Sequence, residues 1–214
     1  DGFPHASEAL HPIVSITLKS SKSNVYYVWG LDDYDVDQTP HKHLIIQYRK
    51  CKSEVELLAK FLEHWRNDYP DIITGWNIRF FDIPYIVNRL ARIGSDKAVR
   101  ALSPWGLVSE RQVSFKGRNM DAYELTGIGM MDYYDLFQKW GFTYGPQESY
   151  TLNHISSVVL GEKKMSYEEY GNLHTLYKEN HQLFIDYNIK DVELVERIDH
   201  SMDLITLGCT MAYK

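Results

Sequence analysis

The stretch GWNIRFFDIPY, residues 75–85, joins two segments of different kind. Ahead of it Ile72 and Ile73 lead an apolar run of strand length. Behind it residues 82–93 carry apolar side chains at helical spacing up to Gly94, a residue that suits a helix end. Asp82 stands at the seam between a buried strand and a buried helix. Two explanations are open. An Asp two residues before Pro84 suits a helix cap, its oxygen accepting otherwise unpaired N–H groups. It also suits a ligand, because Asn77 ends the strand at the place where open α/β sheets hold ligands. A plain turn residue is the alternative for Asn77.

Outward from this seam the chain alternates. Residues 12–18 and 24–29 read as strands around a Ser-Ser-Lys-Ser turn, 31–42 as an acidic polar loop, and 43–49 as a third strand. Ser53 with Glu56 makes a capping box for a helix that stops before Pro70. A short helix is expected over 95–101 and a β-hairpin over about 108–126 with Lys116 and Arg118 at its tip. A strand then runs into a helix at 127–137, a helix preceded by Ser149 covers 150–160, and the longest helix covers 179–204. Strands alternating with helices after a β-meander give an α/β fold, a mixed sheet flanked by helices.

Composition sets limits. The 214 residues are 44% hydrophobic and 24% charged, the proportions of a globular chain with a sizeable core. The net charge of −6 means that a polyanionic partner must meet a local basic patch or a bound cation. Cys51 and Cys209 make no disulfide framework, so a reducing compartment is expected. No run approaches the roughly 18 apolar residues of a membrane span. His41-x-His43 has no further Cys or His at ligand spacing and is expected in a surface loop.

In the last helix Leu183, Phe184, Tyr187, Asp191, Leu194, Val195, Ile198 and Met202 recur at helical spacing, which sets Asp191 in an apolar stripe. A buried carboxylate must be paired, protonated or bound to metal. Tyr187 lies one turn earlier on the same face, where its hydroxyl could reach a water beside Asp191. An Asp bonded to a neighbouring backbone group or Arg is the other explanation.

Taken together these residues resemble the 3′–5′ exonuclease domain of family B DNA polymerases, DEDD nucleases of ribonuclease H-like fold. Asn77 through Phe81-Asp82 is similar to the family's second exonuclease motif and Tyr187-x-x-x-Asp191 to its third. Residues 149–167 resemble its Ser-Tyr-x-Leu segment and lysine run. DGFP (1–4), HPI (11–13), IITGWN (72–77), MDYYDLF (131–137) and the hairpin resemble the T-even-like phage replicative polymerases. The resemblance spans essentially the whole chain and implies one proofreading domain, residues 1–214, acting in a bacterial host cytoplasm if phage-encoded.

The resemblance implies site roles. Asp82 and Asp191 would be metal ligands in a two-ion site taking Mg²⁺ or Mn²⁺, their side chains converging on one pocket, with Tyr187 orienting the attacking water and Lys164 neutralising charge on the phosphate. Phe3, Asn77 and Phe81 would contact a frayed single-stranded 3′ end, Phe3 by packing on the terminal base. Lys116 and Arg118 would help part primer from template. DNA and the remainder of a polymerase chain are the implied partners. The family's first motif, Asp-x-Glu on the first strand, falls upstream of Asp1, and no Asp-x-Glu is read elsewhere in the chain as a substitute. The expectation is therefore a chain without that strand and with little activity alone. The acidic residues 32, 33, 35 and 37 are expected to be solvated, and Asp132 to lie near the site without a metal role. The rival readings are a non-catalytic DNA-binding or scaffold module and a free-standing exonuclease.

Overall fold

The computed structural model describes residues 4–115, 117–162 and 168–212, with backbone alone for Phe115, Arg118 and Glu168. It is a mixed α/β chain whose described residues form seven strands and eight α-helices. The chain divides into two compact units, Asp1–Ile13 with Glu54–Asp135 and Val14–Ser53 with Leu136–Lys214. The mixed α/β architecture expected from the sequence is present, its strands pairing in three ladders among the described residues.

In the first unit, helix α1 (Glu54–Asn67) buries Leu57, Leu58, Phe61 and Trp65, the stripe expected from their spacing. Strand β4 (Ile72–Gly75) pairs in parallel with β7 (Gly129–Asp132), Gly75 opposite Asp132. Between them run α2 (Asp82–Ile93), α3 (Asp96–Arg100) and the hairpin of β5 (Val108–Phe115) and β6 (Arg118–Leu125). Helix α2 ends where the sequence places its end, at Gly94. Here φ is −112°, so the glycine is required by space: a Cβ would come within 2.7 Å of the Leu90 carbonyl oxygen.

Arg89 of α2 holds the leading segment of the chain. Its guanidinium meets Glu54 at two bonds of 2.7 Å and donates to the Ala9 and Leu10 carbonyls at 3.1 Å. Tyr85 donates to the His11 carbonyl and Asn88 to that of Ala6. A buried guanidinium is tolerated because each face of its fork meets an acceptor.

In the second unit, β1 (Ser15–Lys19) pairs antiparallel with β2 (Val25–Gly30), and β2 pairs in parallel with β3 (Ile45–Lys50). The acidic loop is the crossover that parallel neighbours need, and Asp32, Asp33, Asp35 and Asp37 on it are exposed. Tyr26 and Val28 of β2 pack on Ile185 and Ile189 of the long helix α7 (His181–Met202). The remaining helices are α4 (Tyr133–Trp140), α5 (Leu152–Leu160), α6 (Leu173–Glu179) and α8 (Leu204–Ala212). Caps set the starts: Thr151 accepts from His154 N ahead of α5, Asn172 from Thr175 N ahead of α6, and Asn180 from Leu183 N ahead of α7. The cap of α5 is thus Thr151, with Ser149 accepting from the Thr151 amide.

Candidate active site

Strand β4 ends beside the carboxylate that ends β7, and this carboxylate shapes the turn that follows. Asp132 is 5% exposed. Its Oδ1 accepts from the Asn77 amide at 2.9 Å and the Tyr134 amide at 3.0 Å, and its Oδ2 from the Arg79 amide at 2.9 Å. Burial raises its pKa above the ordinary Asp value, while those three backbone N–H groups pull the other way. Asn77 is held at φ 64°, a left-handed conformation that Asn tolerates better than most residues. Trp76 stacks on Tyr133 at 6.4 Å and meets Tyr134 edge-on at 6.1 Å.

From this turn the chain enters α2. The amide of Phe81 donates to Asn77 O, that of Ile83 to Ile78 O and that of Tyr85 to Phe81 O. Phe81, with φ −126° and ψ −71°, occupies the cap position and makes no side-chain cap bond. The cap explanation for Asp82 is thereby corrected: Asp82 is the first helical residue and is exposed. A negative charge there interacts favourably with the helix N-terminus, by about 0.3–1 kcal/mol. Asn77, Phe81 and Asp82 are thus brought into one short turn. Asp132 lies next to it as its clasp, in a role the sequence reading did not assign.

On α7, Tyr187 and Asp191 sit one turn apart, both half-buried, with Asp191 Oδ1 itself buried. The stripe expected from spacing is shifted. The buried residues are Ile185, Asp186, Ile189, Glu193, Leu194, Val195 and Ile198. The helix faces β2 through Ile185 and Ile189, and that face carries carboxylates of its own.

Asp186 Oδ1 accepts from Thr39 at 2.6 Å and Tyr34 at 2.7 Å. His41 is buried, not on the surface: its Nε2 lies 3.1 Å from the Asp186 carbonyl oxygen, and burial lowers its pKa. Glu193, 2% exposed, meets His43 Nε2 at 2.8 Å and Lys190 Nζ at 3.0 Å. Burial alone would raise its pKa; His43 and Lys190 outweigh it and the carboxyl is held low. Glu162 forks onto Arg197 at 2.6 and 2.7 Å, which with Lys190 brings its pKa down to about 2.

One Asp-x-Glu does occur in the chain, contrary to the sequence reading: Asp191-Val192-Glu193. It is no substitute for a strand-borne pair. Residues two apart on a helix point to different sides, and Glu193 is already held by His43 and Lys190. Phe3, Lys116 and Lys164 lie outside the described residues, and Arg118 is described only as the first residue of β6. Among the described residues no three or more His, Cys, Asp or Glu side chains are placed to hold a metal ion.

The mixed α/β chain thus carries, in one unit, a solvent-facing carboxylate at a strand-to-helix turn and, in the other, a Tyr-x-x-x-Asp pair on the longest of the described helices. The chain belongs to the family described as DNA polymerase family B, exonuclease domain, whose model matches residues 1–155. It is 34% identical to a DNA-directed DNA polymerase of Escherichia phage RB69 and 30% identical to one of Enterobacteria phage T4. Both alignments cover all of this chain and about a quarter of the relative, 25% and 26%. A DNA polymerase delta catalytic subunit of Caenorhabditis elegans is 31% identical over 56% of this chain and 11% of its own length. No helix among the described residues is long and apolar enough to cross a membrane.

Proposed function

We propose that this chain is the proofreading module of a DNA-directed DNA polymerase, a 3′–5′ exonuclease that removes nucleotides from single-stranded 3′ ends. The observation that carries the reading is the turn at 75–82. Its backbone is clasped by a buried carboxylate, and it offers a second, exposed carboxylate on a rigid helix start. The family membership and the end-to-end similarity to two phage polymerases support the same reading, and in it both compact units serve one functional domain.

In this proposal Asp82 and Asp191 are metal ligands. Carboxylate oxygens are the donors that Mg²⁺ or Mn²⁺ takes, and Asp82 is exposed, so its carboxylate suits such an ion. Bound ions would supply water activation and charge stabilisation at the phosphate. Tyr187 orients the attacking water by hydrogen bonding through its hydroxyl. Lys164 offsets negative charge on the phosphate. Asn77, Phe81 and Phe3 hold the terminal nucleotide, with the aromatic rings giving sequence-tolerant stacking, and Lys116 and Arg118 contact backbone phosphates of primer-template DNA. The remainder of a polymerase chain is the partner that delivers the frayed end.

The test is 3′ trimming of a labelled single-stranded oligonucleotide with Mg²⁺, using the native polypeptide that carries this chain. Asp82→Ala and Asp191→Ala should each abolish trimming, and Tyr187→Phe should slow it. Full activity in both alanine variants, or none in the unaltered protein, would leave the non-catalytic module as the better reading.

A further inference from the structure

The segment from the end of α2 to the start of β5 contributes nothing to the proposed site, yet it is built with unusual care. Helix α3 passes into two successive turns, Ser103 N bonding Arg100 O and Gly106 N bonding Ser103 O. Helix α1 and the residues just after it anchor them: Trp65 Nε1 donates to the Leu102 carbonyl at 2.9 Å and Tyr69 to that of Ala101 at 2.8 Å. Ser103, 2% exposed, ties the loop shut. Its hydroxyl accepts from the Trp105 and Leu107 amides and donates to Thr126 O at 2.6 Å. Gly127, at φ 94°, closes the other side, where a Cβ would come within 2.7 Å of Pro104.

This frame presents an indole to solvent. Trp105 is 71% exposed. Among the described residues its ring stacks on no other ring. In the segment that carries it the charge runs against that of the chain. Arg92, Lys97 and Arg100 are exposed and, among the described residues, form no ion pair, and Asp96 is the only carboxylate between positions 91 and 107. The chain as a whole carries −6.

We infer that this surface is a second DNA contact, a platform on which Trp105 stacks a base of single-stranded DNA while Arg92, Lys97 and Arg100 meet the neighbouring phosphates. Charge complementarity selects a polyanion. A rigid exposed aromatic beside cations is what binding of unpaired bases requires, and a fixed backbone limits the ordering cost on binding. The inference rests on the proposed function for the choice of DNA among polyanions. It adds a strand-holding site separate from the residues assigned to cleavage.

The experiment uses the native polypeptide carrying this chain and a fluorescent oligo-dT of about 16 nucleotides, with binding followed by anisotropy over a range of salt. Trp105→Ala should weaken binding by about ten- to a hundredfold, the loss expected for one stacked base, and Trp105→Tyr should restore most of it. Replacing Arg92, Lys97 and Arg100 by Ala should lower the slope of log K against log salt by about 0.7 for each phosphate contact removed. Oligo-dT carrying 5-iodouracil should cross-link to the peptide containing Trp105. Unchanged affinity, unchanged slope and cross-links only elsewhere would overturn the inference. So would a Trp105→Ala protein that binds DNA normally but loses stability, which would mark the indole as packing against another part of the polypeptide. Trimming of a trinucleotide, too short to span both sites, is measured in parallel. If it persists while the platform variants bind normally, only this inference fails; if the unaltered protein lacks it, the functional reading fails.

Discussion

Replacing Asp132 tests how the site is held. Its carboxylate takes three backbone amides, two on Oδ1 and one on Oδ2, while nearly excluded from water. A hydrogen bond to a charged group contributes about 1.5–3 kcal/mol, and an orphaned buried donor costs about 1–3 kcal/mol. In Asp132→Asn the amide oxygen can keep the Oδ1 side, leaving only the Arg79 amide facing an N–H donor. The expected loss is about 2–3 kcal/mol. Asp132→Ala strands all three amides, and the expected loss is about 3–5 kcal/mol. Urea unfolding gives these values. The trimming rate should fall further than stability explains, by about 10–100-fold, because the turn that aims Asp82 loses its clasp and small misplacements at a reacting centre are costly. The pH dependence has a defined sign. Burial raises the folded pKa above the unfolded one, so Asp132 favours the folded state most at low pH. That advantage fades as pH rises from the ordinary Asp range toward the raised value, and Asp132→Asn should lack this slope. An Asp132→Ala protein within about 0.5 kcal/mol of the unaltered one, trimming at its normal rate, would refute the clasp.

Other outcomes follow from the same geometry. Asp82→Ala should abolish trimming yet shift unfolding by less than about 0.5 kcal/mol, since the side chain is exposed. Asn77 sits at φ 64°, so Asn77→Gly should be tolerated in stability and Asn77→Ala should cost about 1 kcal/mol, while loss of oligonucleotide affinity in both would assign the side chain to substrate. Glu162→Gln should remove stability that is present above pH 4.5 and lost as pH falls toward 2, because Arg197 and Lys190 depress the folded pKa to about 2. The effect should stay under about 1 kcal/mol, since the pair is partly solvated. Arg89→Lys should cost about 2–4 kcal/mol by thermal or urea unfolding, because an ammonium cannot reproduce the fork onto Glu54 while reaching two carbonyls.

Local signals in the sequence were legible because their causes are local. Apolar spacing in α1, Gly94 after α2 and the arms of the hairpin each depend on a few neighbouring residues, and the structure has them where the pattern puts them. The pairing of strands depends on residues far apart, and the division into three ladders is not legible in the sequence. The face of α7 was misjudged for a different reason. The stripe read through Leu183, Phe184, Tyr187 and Asp191 is offset from the buried one through Ile185 and Ile189, and that offset leaves Asp186 and Glu193 off the face it marks as inward. Their partners Thr39, Tyr34, His41 and His43 lie about 150 residues away, on a loop that reads as plain polar crossover. The His-x-His pair was the available clue: two imidazoles two residues apart fit one acidic partner as well as they fit a metal.

The carboxylates of this chain divide by what they accept. Asp132, Asp186 and Glu193 are each nearly sealed from water and already hold two or more donors. With those lone pairs engaged, such groups fix backbone and helix positions and are poorly placed to take up a cation. Asp82 differs from these three in its exposure. It is exposed, and its position is set by a neighbouring acid that clasps the turn and by a helix that begins at its own backbone. The answer to why an acid stands at the seam of strand and helix is therefore two acids with separate tasks, Asp132 shaping the turn from inside and Asp82 facing out from it.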